Sequence, residues 1–317
     1  IQEVKIIQNF SDLTSKLTAK GLFSLFAIVI CIAMVIRSSY KEQRWKSDEI
    51  VQNDVISYYA YLPSVFIFND MSLSYLTNYE DKRLEGVRVW HETNEYGKHF
   101  LKMSAGESVM LTPFFLAAHW IEKSNGEVAN GYSPIYYFSI VIAAWFYFFL
   151  SLLILRHVLK KFNLNDFAIA LTIMAMGLGT NLFYYASVDS GMSHVYSFFL
   201  FSLTLSLTLS WHERPTVWRS LALGAVIGLV FITRPTNGLI ALVPILFNVY
   251  SVRSLKDKLA FIRGKLMFVG IVLLSFAAVS FIQLFLWYLG TGKWFVYSYT
   301  TERLMFEDPQ FYKSLFG

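Results

Sequence analysis

The feature that most constrains this chain is a series of long apolar runs, each fenced by polar or basic residues, recurring from residue 21 to residue 289. The hydrocarbon core of a bilayer needs roughly 20 helical residues to span it. Inside it every backbone polar group must be paired within the segment, so such runs fold as helices. Composition points the same way. Of 317 residues, 55% are hydrophobic, 18% aromatic and only 15% charged, against about a quarter charged in ordinary soluble domains. The pattern predicts an all-α integral membrane protein.

The runs fall at residues 21–36, 135–159, 167–186, 195–211, 221–232, 239–250 and 267–289. The first lies between Lys20 and Arg37 and is lengthened by flanking residues that snorkel. No small-residue cleavage site follows it, so it reads as an uncleaved anchor rather than a signal peptide. The fifth and sixth are divided by residues 233–238 (Thr-Arg-Pro-Thr-Asn-Gly), where Pro235 would break a continuous helix. They read as two short crossings. A further apolar stretch at 108–121, with Pro113 and His119, is short for a span and reads as an interfacial or re-entrant helix. The aromatic segment 55–68, broken by Pro63, is expected to form a short helix in the polar loop before it.

Basic residues set the orientation. Residues 156–161, 214–219 and 253–265 are all basic, and they alternate correctly if each faces the cytoplasm. The expected protein is then multi-pass in the plasma (inner) membrane, with a cytoplasmic N-terminus and seven crossings. Residues 38–134 form a long extracytoplasmic first loop. Residues 1–289 read as one transmembrane module, and 290–317 as the start of an extracytoplasmic C-terminal region that is expected to be cut short, since the sequence stops at Gly317 just after a mixed aromatic and charged stretch.

A single Cys31, inside an apolar run, excludes a disulfide framework and a thiolate metal cluster. The net charge of +5 does not call for nucleic acid, because its most concentrated part (Arg253, Lys256, Lys258, Arg263, Lys265) sits between two apolar runs. No phosphate-binding loop, dinucleotide fingerprint or serine-hydrolase elbow is present.

The charges outside the apolar runs are the candidates for chemistry. Asp54 precedes the aromatic segment that holds Tyr58 and Tyr59. It suits an N-cap and equally a general base or metal ligand made more basic by partial desolvation, and the roles do not exclude each other. Asp189 and His194 share a short outer loop, where the bland reading is a solvating Asp and an interfacial His. A second carboxylate there would meet the first over one cavity. With Glu107 they offer oxygen and nitrogen ligands to a divalent cation, although no pair has a recognised ligand spacing. Arg234 stands between two half-length runs, where a guanidinium is costly unless it faces water, protein or an anion. It either snorkels to headgroups or makes the bidentate phosphate contacts for which arginine is suited. Lys98 and Lys102 flank the 108–121 stretch as further phosphate candidates or as ordinary interface charges.

Taken together, four features resemble the polytopic glycosyltransferases of the GT-C fold that use a polyprenyl-phosphate-linked sugar, among them protein O-mannosyltransferases and the aminoarabinose transferases acting on lipid A. They are a first helix followed by a long outer loop with an early acidic residue (Asp54, then Tyr58 and Tyr59), and the 106–121 segment ahead of Tyr132, Ser133 and Pro134. The others are the acidic short loop at Asp189 and the 228–237 stretch around Arg234. Asp54 is followed by Val55 rather than by the second acidic residue of the mannosyltransferase pattern. The resemblance implies an inverting transfer on the extracytoplasmic face to an acceptor hydroxyl or amine on a glycan, lipid or protein. Asp54 would act as base, with Asp189 as helper. Arg234, Lys102 and Lys98 would hold the donor phosphate, and Tyr58, Tyr59, His194 and Glu107 would line the acceptor cavity. Two other readings fit a multi-pass chain. One is a transporter or flippase for a lipid or small solute, which would commonly show a second broken helix as an inverted repeat. The other is a non-catalytic membrane assembly subunit.

Overall fold

The computed structural model describes residues 21–77, 84, 86–87, 89–298, 311 and 313. The expected cytoplasmic N-terminus and most of the C-terminal region 290–317 lie outside the described residues. Among the described residues, four helices are long and apolar enough to cross a membrane: α1 (Leu22–Glu42), α4 (Pro134–Lys161), α7 (His194–Glu213) and α11 (Leu266–Thr291). The other three apolar runs form shorter helical segments. These are α5 (Asp166–Leu178), α8 (Val217–Thr233), and a 3-10 turn (Pro235–Ala241) that leads into α9 (Leu242–Leu246). The remaining helices are α2 (Asp54–Phe66), α3 (Gly106–Ser124), α6 (Leu182–Ser187) and α10 (Val252–Arg263).

Two runs differ from expectation. The span expected at 167–186 is divided into α5 and α6 around Gly179, Thr180 and Asn181, poor helix formers in succession. The run at 239–250 holds only one full α-turn, because Pro235 and Pro244 both withhold a backbone donor. The basic segment after it is a helix, α10, started by a capping box in which Ser251 and Ser254 bond each other's backbone amides. The first loop also carries a two-stranded antiparallel hairpin, β1 (His91–Thr93) and β2 (His99–Leu101), with His91 opposite Leu101.

The helices pack in the spatial order α5, α1, α4, α7, α8, α11, with α3 bridging α4 and α8. One apolar core joins α2, α3, α4 and α7 through Tyr59, Leu62, Phe115, Tyr136, Ile140 and Tyr196. A second joins α1, α4 and α5 through Cys31, Phe148, Ile169 and Ile173. The α8–α11 seam is built on Gly224 and Gly228, where added Cβ atoms would lie 2.1 Å from the Val272 carbonyl and 2.9 Å from that of Phe276. This is the small-residue spacing that lets helices in lipid approach closely. Only 6% of the most hydrophobic window of α11 is buried, against 44% for α4 and α7. Leu273, Leu274 and Phe281 stand exposed along it, as they would on a lipid-facing helix.

The two ends of the bundle differ in charge. At one end, Arg156 donates from Nε to Ser24 Oγ at 2.7 Å and from Nη2 to the Gly21 carbonyl at 3.0 Å. Ser24 also donates to the Asp166 carboxylate, Lys161 pairs with Glu213 at 3.0 Å, and Lys258 Nζ meets His212 Nε2. The three basic segments therefore share this end. At the other end lie the start of α2, the start of α3, the 188–193 loop and the end of α8.

Candidate functional site

That second end gathers the charged residues. α2 begins at Asp54, with Asn53 at the cap position in a left-handed backbone (φ 51°) and no side-chain capping bond. Asp54 is thus one residue inside the helix and does not cap it. Its half-buried carboxylate stands in the first turn, where the helix dipole favours negative charge. Val55, next to it, packs against the 188–193 loop at Gly191: a Cβ on Gly191 would fall 2.4 Å from Val55 Cγ1 and 3.1 Å from the Ile50 carbonyl. The loop carrying Asp189 can lie on the α2 start only because residue 191 has no side chain.

α3 is clamped onto α2 by three backbone contacts. Ser108 Oγ donates to the Tyr58 carbonyl, the Met103 amide donates to Ser57 Oγ at 3.0 Å, and the Tyr61 hydroxyl donates to the Met103 carbonyl at 2.8 Å. From α11, Gln283 closes the group, accepting the Ala105 amide at 2.6 Å and donating to the Tyr61 hydroxyl at 3.3 Å. The first turn of α3 is thereby fixed against the end of α8, where Arg234 leaves the helix in an extended conformation.

Glu107, in that first turn, is completely buried, and neither of its carboxyl oxygens has a hydrogen-bond partner. Burial raises its pKa well above the ordinary carboxylate range. The nearby negative charges of Asp189 and Asp54 push it in the same direction, and Arg234 opposes them. Burial thus disfavours the charged form of Glu107, against the opposing pull of Arg234. Asp189, half-buried, is also raised by desolvation, with Arg44 pulling it back. The Tyr58 hydroxyl is buried and pushed up, first by desolvation and then by Glu107. His194 sits within the field of Arg234 and Asp54 and stacks on Tyr185, with ring centroids 3.8 Å apart. Asp54, Tyr58, Glu107, Asp189, His194 and Arg234 therefore share one neighbourhood, although they come from four separate parts of the chain.

The other candidates have different surroundings. Tyr59, one residue and about 100° around the helix from Tyr58, points into the aromatic core. There it donates to the Gly131 carbonyl at 2.5 Å and packs edge-on against Phe115 and Tyr132. Lys98 is exposed in the hairpin turn, its amide bound to Asn94 Oδ1 at 2.9 Å. Lys102 is buried, with its ammonium 5.0 Å from the centre of the Trp90 ring. Arg44, in a 3-10 turn just after α1, is a member that sequence reasoning missed, because nothing in the local pattern around it ties it to the distant Asp189 loop. Among the described residues, no group of three or more His, Cys, Asp or Glu is arranged to hold a metal ion.

The chemistry open to this arrangement follows from its charges. A half-exposed carboxylate at Asp54 can take a proton, a half-exposed guanidinium at Arg234 can hold an anion, and the fully buried carboxyl of Glu107 lies within their field. Comparison of the chain with protein families, with curated proteins and with solved structures found no match. The fold defines a class only: an all-α helical bundle with, among the described residues, four helices long and apolar enough to cross a membrane.

Proposed function

We propose that this protein is a membrane glycosyltransferase of the GT-C type, moving a sugar from a polyprenyl-phosphate donor to an acceptor hydroxyl or amine on the extracytoplasmic side. The observation that carries this reading is the convergence of Asp54, Asp189 and Arg234 on the buried Glu107 at the end of the bundle opposite the basic segments. With those basic segments in the cytoplasm, this end faces outward, at the level where a lipid-linked phosphate meets water. All seven apolar runs cross on this reading, the shorter ones included.

Asp54 removes the proton of the acceptor as its oxygen or nitrogen attacks the anomeric carbon. The bond from that carbon to the phosphate oxygen breaks, the configuration inverts, and polyprenyl phosphate leaves with the electron pair. Arg234 pairs with the leaving phosphate, matching two guanidinium N–H donors to two phosphate oxygens. Asp189 and His194 orient the acceptor. Glu107 acts through the others as a positioning residue: uncharged, it lets two carboxylates and a guanidinium share a small volume without a third negative charge. The test is transfer from polyprenyl-phosphate sugars by the full chain in lipid nanodiscs, compared with Asp54→Asn. The reading requires the variant to bind donor and lose transfer. A transporter or an assembly subunit would retain its activity with Asn at 54.

A further inference from the structure

An apolar cavity lies at the opposite end of the bundle from the charged group. It has a volume of about 270 Å³ and is lined by α7, α8, the 235–246 segment, α10 and the start of α11. This approaches the lower end of the range typical of ligand cavities, about 300 Å³. Leu223, Ile227, Ala241, Ile262, Val272 and Phe276 form its walls, and Lys258 is the one charged side chain among its lining residues. The Lys258 ammonium does not project into the space. It is tied to the Pro244 carbonyl at 2.9 Å, the Phe247 carbonyl at 3.4 Å and the His212 ring, so the cavity presents hydrocarbon.

α10, which closes this cavity, has three faces. Ser254, Lys258 and Phe261 turn toward the bundle, where Phe261 packs on Trp211 and His212. Val252, Leu255 and Leu259 form an exposed apolar stripe. Arg253, Lys256 and Arg263 are exposed on the remaining face with a single acidic residue, Asp257, among them. Lys265 follows at the α11 start, where Leu266 and Met267 are each 63% exposed and continue the apolar stripe onto the lipid-facing side of α11. A helix with one apolar face and one basic face lies in the plane of a membrane interface, its charges at headgroup level. Lys and Arg residues there attract anionic lipids.

We infer that α10 and the cavity beneath it form a binding site for an anionic glycerophospholipid of the membrane, with the phosphate on Arg253, Lys256, Arg263 and Lys265 and one acyl chain in the cavity. Charge complementarity and the continuity of the apolar stripe with α11 choose this occupant over a soluble partner, which would meet the same stripe only by leaving α11 uncovered. The site is separate from the charged group around Glu107 and does not depend on the transferase reading.

The test is native mass spectrometry of the full chain released from neutral detergent after addition of phosphatidylglycerol or phosphatidylcholine with identical chains. Retention of phosphatidylglycerol is expected to exceed that of phosphatidylcholine by about tenfold, as electrostatic attraction of several surface cations implies, and the excess should shrink at high salt. Replacing the four cations together (Arg253→Gln, Lys256→Gln, Arg263→Gln, Lys265→Gln) should abolish the preference. Ala241→Phe, which fills the cavity, should lower retention of both lipids. Equal retention of the two lipids by the unaltered protein, or an unchanged preference in the four-cation variant, would overturn the inference.

Discussion

Gly106 lies so close to Thr233 that a Cβ on it would sit 2.4 Å from the Thr233 amide nitrogen. This contact brings the first turn of α3 against the last turn of α8, and so sets Glu107 beside Arg234. Two of the three nearest atoms, the Thr233 nitrogen and the Ile232 carbonyl carbon, belong to backbone, which cannot swing aside. Gly106→Ala is therefore expected to destabilise the protein by about 1–3 kcal/mol through forced separation of the two helices. It should also depress transfer activity more than its stability cost explains. Thermal unfolding in nanodiscs and the transfer assay measure the two effects separately.

Glu107 gives the protein a pH dependence with a definite sign. Its carboxyl is raised well above the ordinary value of 4.5, so the folded chain keeps a proton that the unfolded chain releases above that pH. The contribution of this group to stability is complete below about pH 4.5 and declines as pH rises toward its folded value, by up to about 1.4 kcal/mol per unit. Glu107→Gln keeps the neutral shape and cannot ionise. The variant should match the unaltered protein in mild acid and exceed it increasingly as pH rises, as read from unfolding midpoints across the pH range.

Asp54 and Arg234 should separate by kinetic parameter. On the proposed mechanism, Asp54→Asn removes the proton acceptor and should lower kcat by roughly 10²–10⁴-fold, the usual contribution of general base catalysis. Arg234→Lys keeps the charge and loses the bidentate geometry. Its expected effect is an increase of about tenfold in KM for the lipid-phosphate donor, with a smaller change in kcat.

Gln283 crosses from α11 to the α2–α3 clamp, and its removal tests whether that clamp is a unit. Gln283→Leu leaves the Ala105 amide without its partner and should cost about 1–3 kcal/mol. Tyr61→Phe removes the acceptor for the Gln283 amide and the donor to the Met103 carbonyl. The double variant should cost less than the sum of the two, by about 0.5–3 kcal/mol, because both act on one network.

The helical runs were legible because lipid imposes a simple rule on length and polarity, and all seven expected runs carry helical structure. What local pattern misjudged was continuity. Gly179 to Asn181 divide one run and Pro244 shortens another, effects that run length does not report. Asp54, Asp189 and Arg234 were legible as charges that the apolar runs exclude. Glu107 was visible only as an acidic residue before a helix, yet it is the residue on which the others converge, since its burial depends on Gly106 meeting Thr233 across the fold. Tyr58 and Tyr59 looked equivalent in sequence, and the roughly 100° between successive helical residues sends them to different environments. Arg44 had no local signal at all, because its relation to Asp189 is purely tertiary.

The measurement that bears most directly on the central claim is an experimental structure of the full chain in lipid nanodiscs with added polyprenyl phosphate. The account predicts phosphate density within hydrogen-bonding distance of the Arg234 guanidinium, on the side facing Asp54, with the isoprenoid chain running into the membrane. Phosphate bound elsewhere, with the Asp54–Arg234 region open as a water-filled path through the bundle, would contradict it.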